Sequence, residues 1–246
     1  MSALSDLFDA YGRNARLYPA ILVMVPLIAL PSVLESVQKV SHVALVALLG
    51  VALLYVLAHV VRALGKRVER RLLARWGGLP TTRWLLWGDT TLDPTSKKRY
   101  RDYLSSKGLQ MPSPQEEITN PHGARERLAS AVTWLRNNRR GDAYRILHAE
   151  NAAYGFRRNL YGSKVLGMSL AAICACVDAG FAIVALPRST PLTAAAIAAV
   201  APEVRVGLVV ALVWLVAWMF VTPTWVRESA ELYAKALLET CDAPSA

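Results

Sequence analysis

The stretch ENAAYGFRRNLYGSKVLGMSLAAICACVDAGFAIVAL, residues 150–186, changes character in its middle. Its first part carries a carboxylate, amides, aromatic rings and two adjacent arginines, whereas its second part is almost wholly apolar. A run of about 20 mainly apolar residues is long enough to cross the hydrocarbon core of a bilayer as a helix. The stretch therefore predicts a polar segment at a membrane surface that leads directly into a membrane span.

Three further apolar runs contribute to a hydrophobic content of 54%, which is high for a soluble globular protein. Charged residues in APEVR, residues 201–205, separate the last run from the apolar residues before it, so we place the last span after them. The four predicted spans cover residues 17–34, 42–61, 165–186 and 206–221. We predict an all-α membrane protein with four transmembrane helices, as one hairpin within residues 1–64 and a second within residues 165–222.

Basic residues are concentrated between the second and third predicted spans. Residues 65–164 hold 20 of the chain's 28 Lys and Arg but only 9 of its 18 Asp and Glu, so this segment accounts for all of the net charge of +10. Because the cytoplasmic flanks of membrane spans carry the excess of Lys and Arg, we predict that this basic insertion is cytoplasmic. Both termini are then cytoplasmic as well, and residues 223–246 form a cytoplasmic C-terminal helix.

The basic insertion is predicted to be mostly helical. The pairs Asp-Pro at 93–94 and Asn-Pro at 120–121 each place a capping residue before a proline suited to the first helical position. Gly108 can end the first of these helices, and a third helix is predicted to begin near Asp142. Residues 109–120, LQMPSPQEEITN, are rich in turn formers and are predicted to be a loop.

The third helix continues toward the third span and carries groups that can bind a ligand. These groups are Asn151, Arg157, Arg158 and Asn159. Arginine recognises phosphates and carboxylates through its planar fork, but arginines beside a span are also ordinary topology anchors, and both interpretations stay open. Gly155 and Gly162, one heptad apart, indicate either a close backbone approach or a break at the membrane surface.

A basic patch in the first helix of the insertion is a second candidate for ligand binding. It consists of Lys97, Lys98, Arg99 and Arg101, interleaved with Tyr100 and Tyr103. Such a mixture of charge and aromatic rings binds nucleic-acid backbones and stacks bases. A solvated helix face or contact with anionic lipid headgroups is the alternative, and tethering to the membrane favours it over nucleic acid. Nucleotides remain further candidate ligands.

Asp178 is the one ionisable residue well inside a predicted span. An aspartate at mid-membrane costs about 2.5–3.5 kcal/mol and usually faces the bundle interior or a water path. Because Asp178 lies in the outer half of its span, a side chain that reaches the outer headgroups is an equal alternative. His42, at the outer start of the second span, is a candidate partner.

Three motifs follow one another along the chain from Arg75 onward. They are RWGGLPTTRWLLWGDTTLDPTSKKRYRDYL at 75–104, ENAAYGFRRNLYG at 150–162 and WVRESAELYAKALLE at 225–239. In this order they resemble a family of uncharacterised bacterial multi-pass membrane proteins, over nearly the whole chain from Arg75 onward. The resemblance implies a location in the bacterial inner membrane and no particular activity.

The sequence carries none of the common catalytic signatures. It has no phosphate-binding P-loop, no GxGxxG and no GxSxG elbow. Its four histidines are scattered, and its three cysteines form no CxxC pair. We therefore expect no enzymatic activity, no cofactor and no bound metal ion.

Two classes of function follow from these patterns. In the first, the basic insertion senses an anionic ligand, such as a nucleotide or nucleic acid, or a partner, and signals to the membrane helices as a signalling or defence effector. In the second, the protein is a non-catalytic scaffold or accessory subunit that docks a partner protein, while the spans anchor it in the bilayer as a homo-oligomer. A small transporter or channel comes third, since only Asp178 offers a polar pathway.

Overall fold

The computed structural model describes residues 10–30, 43–186 and 193–242. All regular secondary structure in these ranges is helical, in agreement with the predicted all-α class. A helical turn at Ala10–Gly12 and a π-helical turn at Arg13–Leu17 lead into the first longer helix. The helices after them are α1 (Tyr18–Ile28), α2 (Val43–Trp76), α3 (Pro80–Arg83), α4 (Pro94–Ser106), α5 (Pro114–Thr119), α6 (Pro121–Asn137), α7 (Arg145–Gly162), α8 (Lys164–Ala185), α9 (Ala194–Ala199), α10 (Pro202–Met219) and α11 (Pro223–Glu239).

The chain divides into two compact units. The first unit comprises segments 1–68 and 156–222, and the second comprises segments 69–155 and 223–246. The C-terminal helix α11 thus belongs to the same unit as the central part of the basic insertion, a grouping that the sequence did not predict. Both α2 and α7 contribute residues to each unit.

Three helices in the described residues are long and apolar enough to cross a membrane. They are the segment that starts at Ala47 and contains most of α2, together with α8 and α10. Large apolar side chains on all three are exposed, as expected for surfaces that face lipid. The first predicted span lies partly in α1, a helix of 11 residues, and its residues after position 30 lie outside the described ranges. A fourth span therefore stays a prediction.

The first unit is held together by close contacts among α1, α8 and α10. Gly167 of α8 leaves room for the indole of Trp218, because a Cβ atom there would collide with the ring. The indole N–H of Trp214 donates to the Leu22 carbonyl oxygen of α1 at 2.7 Å. Small residues and indole hydrogen bonds of this kind let helices approach closely inside a bilayer, where burial from water supplies little force between them.

Capping residues set the helix starts of the second unit. The Asp93 carboxylate accepts from the Ser96 backbone N–H at 2.9 Å, and Asn120 accepts from Gly123 at 3.0 Å, both at predicted starts. The prediction of a loop over residues 109–120 was wrong in part, because α5 forms within it. A reciprocal capping box between Ser113 and Glu116 begins this helix.

Aromatic packing joins the middle of α7 to α11 in the second unit. The rings of Tyr154 and Tyr233 stack with centroids 6.3 Å apart, and the Tyr154 hydroxyl donates to Glu69 at 2.8 Å. The fully buried side chains of this unit are mostly leucines, among them Leu85 and Leu237. The second unit therefore has its own apolar core, and the C-terminal helix α11 contributes side chains to it.

Candidate functional site

A groove of about 430 Å³ opens on the second unit between the turn after α3 and the helices α5 and α6. Both charged and apolar side chains line it. Those with chemistry of interest are Arg83, Trp87, Asp89, Glu117, Ile118 and Arg125. We refer to this feature as the Trp87 groove.

Arg83 links the Trp87 groove to the end of α2. Its Nη1 donates to the carbonyl oxygen of Trp76, the last residue of α2, at 3.0 Å. Carbonyls in the last turn of a helix lack intrahelical donors, and a positive charge there is favourable. The Nε of Arg83 lies 3.0 Å from the Asp89 carboxylate. Burial opposes ionisation of Asp89, but hydrogen bonds from Thr91 and the charge of Arg83 outweigh it and lower the pKa of this carboxyl.

Trp87 presents part of its indole ring to the groove. The Arg101 guanidinium lies 4.5 Å from the ring centroid, and Glu117 accepts from the Trp87 backbone N–H at 2.8 Å. These contacts fix the ring, while 37% of the residue stays exposed. Beside it, Ile118 is 76% exposed, and Arg125 is also exposed. The groove thus offers an aromatic surface with a cation close by.

Two members of the predicted basic patch lie beneath the groove and hold it together. Lys97 and Arg101 are each only 3% exposed. Lys97 donates to the Leu86 carbonyl oxygen at 2.7 Å, and burial lowers the pKa of its ammonium. Arg101 pairs with Glu117 at 3.0 Å and also donates to the Pro112 carbonyl oxygen. Burial lowers the pKa of Arg101, and Glu117 partly offsets that effect.

The other two members of the patch are exposed and paired with acids of the second unit. Lys98 lies 2.7 Å from Asp102, one turn along α4. Arg99 makes a two-pronged contact with Asp242, at 2.6 and 2.9 Å. The four basic residues therefore do not form one continuous surface. Ligand binding by any of them stays a prediction.

The polar connector before α8 contains a close helix crossing in the first unit. Asn159 is fully buried, and its amide donates to the Ala15 carbonyl oxygen in the π-helical turn at 2.6 Å. A Cβ atom on Gly65 of α2 would collide with the Asn159 side chain, and one on Gly162 would meet the Gly65 backbone. The crossing of α2 with α7 thus requires both glycines. A break follows at once, because α7 ends at Gly162 and α8 begins at Lys164.

The connector residues predicted to bind a ligand lie in different surroundings. Arg158 is buried, and its guanidinium donates to the Asn159 side-chain oxygen at 3.1 and 3.2 Å. Arg157 is half-buried in the first unit, whereas the half-buried Asn151 belongs to the second unit. Arg158 and Asn159 are therefore part of the helix crossing. Their binding of an anion stays a prediction.

Asp178 lies in the interior of the first unit. The residue is 0% exposed, and neither carboxylate oxygen has a hydrogen-bond partner among the described residues. A Cβ atom on Gly207 of α10 would lie 2.7 Å from one of these oxygens and 3.0 Å from the Ala29 carbonyl oxygen at the end of α1. The carboxylate thus faces the helix bundle. Its suggested partner His42 lies outside the described residues.

Sequence reasoning missed four side chains of the Trp87 groove. Arg83, Trp87, Glu117 and Arg125 come from three separate segments, and one of these segments was predicted to be a loop. The only available signal was the motif WGGLPTTRWLLWGD at 76–89, which combines turn glycines with three tryptophans. Among the described residues no group of three His, Cys, Asp or Glu is placed to hold a metal ion.

No known protein family, no curated protein and no solved structure matches this chain. The resemblance to bacterial multi-pass proteins therefore stays a prediction, and function has to be argued from the geometry.

Proposed function

We propose that this protein is a bacterial inner-membrane protein with four spans, whose second unit and both termini are cytoplasmic. The Trp87 groove binds an anionic ligand that carries a planar ring, such as a nucleotide or a nucleic-acid base with its phosphate. Binding is passed along α2 to the membrane helices, without catalysis, as in a signalling or defence effector. The hydrogen bond from Arg83 to the last carbonyl of α2 carries this proposal, because it connects the groove to a span.

The groove has both groups that such a ligand needs. The exposed part of Trp87 can stack on a base, a contact that contributes about 1–3 kcal/mol per base. Arg125 has no ionic partner among the described residues, so its guanidinium is available to a phosphate. The two acids of the groove are already engaged, Asp89 by Arg83 and Glu117 by Arg101. They therefore repel an anion less than free carboxylates would.

Coupling follows from the double role of Arg83. A phosphate in the groove competes with the Trp76 carbonyl for this guanidinium, while the pair with Asp89 is kept. The end of α2 is then held differently in the bound and free states, which is the differential interaction that a ligand needs to shift a conformational equilibrium. Because α2 is one unbroken helix of 34 residues, a displacement at Trp76 is transmitted toward its apolar half.

Binding is tested by calorimetry on the full chain in lipid nanodiscs, with ATP and a short single-stranded oligonucleotide as probes. Loss of stacking or of the phosphate contact in Trp87→Ala or Arg125→Ala should weaken binding by roughly 5- to 150-fold. Arg227→Ala is the matched control, since Arg227 is an exposed arginine of the same unit but lies on α11 and pairs with Glu231. Equal affinities in all three variants, or no binding of either probe, would reject the groove as a nucleotide site.

Coupling is tested separately with a spin label at Leu53→Cys, an exposed position in the apolar half of α2, in a background with Cys174, Cys176 and Cys241 replaced by alanine. Saturating ATP should change the label's mobility in the parent protein. It should not do so in Arg83→Gln, which loses the charge that ties the groove to Trp76. An identical response in Arg83→Gln would mean that α2 is not driven through this residue.

A docking scaffold is the second candidate, and one observation favours it. Ile118 is 76% exposed beside Trp87, so an apolar side chain flanked by an acid, as in an acidic peptide, also fits the groove. In that case Trp87→Ala should lose a co-purifying partner protein while ATP binds neither the parent nor the variant. A homo-oligomeric assembly of the spans belongs to both proposals.

A further inference from the structure

Asp178 is a titratable group that the proposed coupling does not use. It lies in the apolar helix α8, fully buried, with both carboxylate oxygens unpartnered among the described residues. An isolated ionised carboxylate in an apolar medium is very costly, and such a group takes up a proton instead of staying charged. Its position is thus the first sign of a bound proton.

The neighbouring helices leave a space beside this carboxylate. Gly207 of α10 has no Cβ, and the point where one would be lies 2.7 Å from an Asp178 oxygen and 3.0 Å from the Ala29 carbonyl oxygen. Two acceptor oxygens therefore face the same small space. Ala29 follows the last residue of α1, where carbonyls lack intrahelical donors. Two acceptor oxygens repel each other unless one of them carries a hydrogen atom. A protonated carboxyl would therefore be able to donate to the Ala29 oxygen.

The charged groups around the site do not supply a counter-charge within the described residues. On α10, Glu203 and Arg205 lie within one turn of Gly207, and neither forms an ion pair with Asp178. On α8 the nearby titratable side chains are the exposed Cys176 and the buried Cys174, which lies one turn away. The part of α1 from residue 19 onward has no titratable side chain. The titratable residues of 31–42, namely Glu35, Lys39 and His42, lie outside the described ranges.

We propose that Asp178, Gly207 and the Ala29 carbonyl form an intramembrane proton-binding site. A proton taken from solvent adds to the Asp178 carboxylate, and the resulting neutral acid donates a hydrogen bond to the Ala29 oxygen. This bond joins α8 to the end of α1, and Gly207 gives the space for it. Release of the proton returns a carboxylate that repels the carbonyl oxygen, so the two helices separate.

A proton suits the site better than a metal ion. Hard metal cations such as Ca²⁺ and Mg²⁺ take six or more oxygen ligands. The described residues bring one carboxylate and one backbone carbonyl to this point. A single proton needs only one donor oxygen and one acceptor.

Infrared spectroscopy of the full chain in nanodiscs tests the protonation state of Asp178 directly and requires no activity assay. At pH 7 the parent protein should show the C=O stretching band of a protonated carboxyl, and this band should shift in D₂O. It should vanish in Asp178→Asn and persist in Glu203→Gln, which removes an exposed carboxylate at the start of α10. A parent spectrum without the band would overturn the proposal, even if Asp178→Asn fails to fold.

Two further arms test the partner and the kind of ion. Gly207→Ala places a Cβ atom 2.7 Å from the carboxyl oxygen and 3.0 Å from the Ala29 oxygen and crowds both, so the band should move to the frequency of a carboxyl with a weaker hydrogen bond. Gly180→Ala, where a Cβ meets nothing within 4 Å, should leave it unchanged. An unaltered band in Gly207→Ala would exclude the bond to Ala29. Loss of the band when NaCl replaces choline chloride at constant pH would assign the site to sodium and reject the proton.

Discussion

The backbone of Gly162 in α7 lies against that of Gly65 in α2, and a Cβ atom on Gly162 would come within 2.5 Å of the Gly65 nitrogen. Real side chains do not tolerate such a distance from a backbone atom. Beside this contact, the buried Asn159 amide reaches the Ala15 carbonyl oxygen at 2.6 Å. Three helical segments of the first unit therefore meet just before the start of the apolar helix α8.

Alanine at either glycine of this crossing should push the helices apart. We expect Gly162→Ala and Gly65→Ala each to destabilise the protein by about 1–3 kcal/mol, the usual cost of overpacking. For Gly162 the neighbour is backbone, which cannot rotate away as a side chain can. Thermal unfolding in detergent, followed by tryptophan fluorescence, measures the effect.

Two other helical glycines are matched controls for these variants. Gly50 lies on α2 and Gly180 on α8, and a Cβ atom at either would meet nothing within 4 Å. Since alanine is favoured over glycine in a helix by about 1 kcal/mol, Gly50→Ala and Gly180→Ala should be neutral or stabilising. A crossing variant that is as stable as these controls would show that α2 and α7 are not in close contact.

Arg101 should be far more important for stability than its neighbour Lys98. Arg101→Ala leaves the Glu117 carboxylate, whose side chain is only 10% exposed, without its ion pair, and it removes the donor to the Pro112 carbonyl oxygen. Removal of one partner from a buried pair costs about 3–5 kcal/mol. Urea denaturation, monitored by fluorescence, should show a loss of this size.

Lys98→Ala provides the comparison, because its pair with Asp102 is exposed on the same helix. We expect a change within about 0.5 kcal/mol, as for other exposed pairs one turn apart on a helix. If the two alanine variants unfolded at the same urea concentration, the contacts of Arg101 would not be what holds α5 in place beside Trp87.

Local signals in the sequence predicted the helices well. Apolar length identified α8 and most of α2 and α10, and the cap at Asp93 fixed the start of α4. Helix starts depend on neighbouring residues, which a sequence displays directly. The capping box of Ser113 and Glu116 was such a signal too, but it stands among turn formers and was assigned to a loop.

The candidate site could not be predicted because its members come together only in the folded chain. Trp87 and Glu117 are 30 residues apart in sequence, yet a hydrogen bond joins them. The patch around Lys97 looked like one basic surface, but helical geometry turns Lys97 and Arg101 inward and Lys98 and Arg99 outward. The spacing of these residues shows which of them share a face of α4, but it does not show which face is buried.

Cys241 should resist thiol reagents in the native protein. Burial raises the pKa of this thiol to about 12, so almost none of the reactive thiolate is present at pH 8. In a background with Cys174→Ala and Cys176→Ala, iodoacetamide should label Cys241 at least roughly 100-fold more slowly than an exposed thiol. Ser106→Cys on α4, combined with Cys241→Ala, supplies that exposed thiol within the same unit.

Urea should abolish the difference between these two thiols, because unfolding returns Cys241 to solvent and to an ordinary pKa. Under native conditions, the labelling rate of Cys241 therefore reports how often the second unit opens. Equal rates under native conditions would contradict the burial of Cys241, which follows α11.

The charge distribution predicts the orientation of the protein in the membrane. With Cys174, Cys176 and Cys241 replaced by alanine, a single cysteine is introduced as Ser106→Cys or Ser189→Cys and probed with a membrane-impermeant maleimide on intact bacterial cells. Because the excess of Lys and Arg lies in residues 65–164, the thiol from Ser106→Cys should be shielded until the cells are permeabilised. Position 189, which lies outside the described residues, connects the third and fourth predicted spans and should be labelled from outside. The reverse pattern would place the basic insertion on the outer side of the membrane and would exclude a cytosolic ligand.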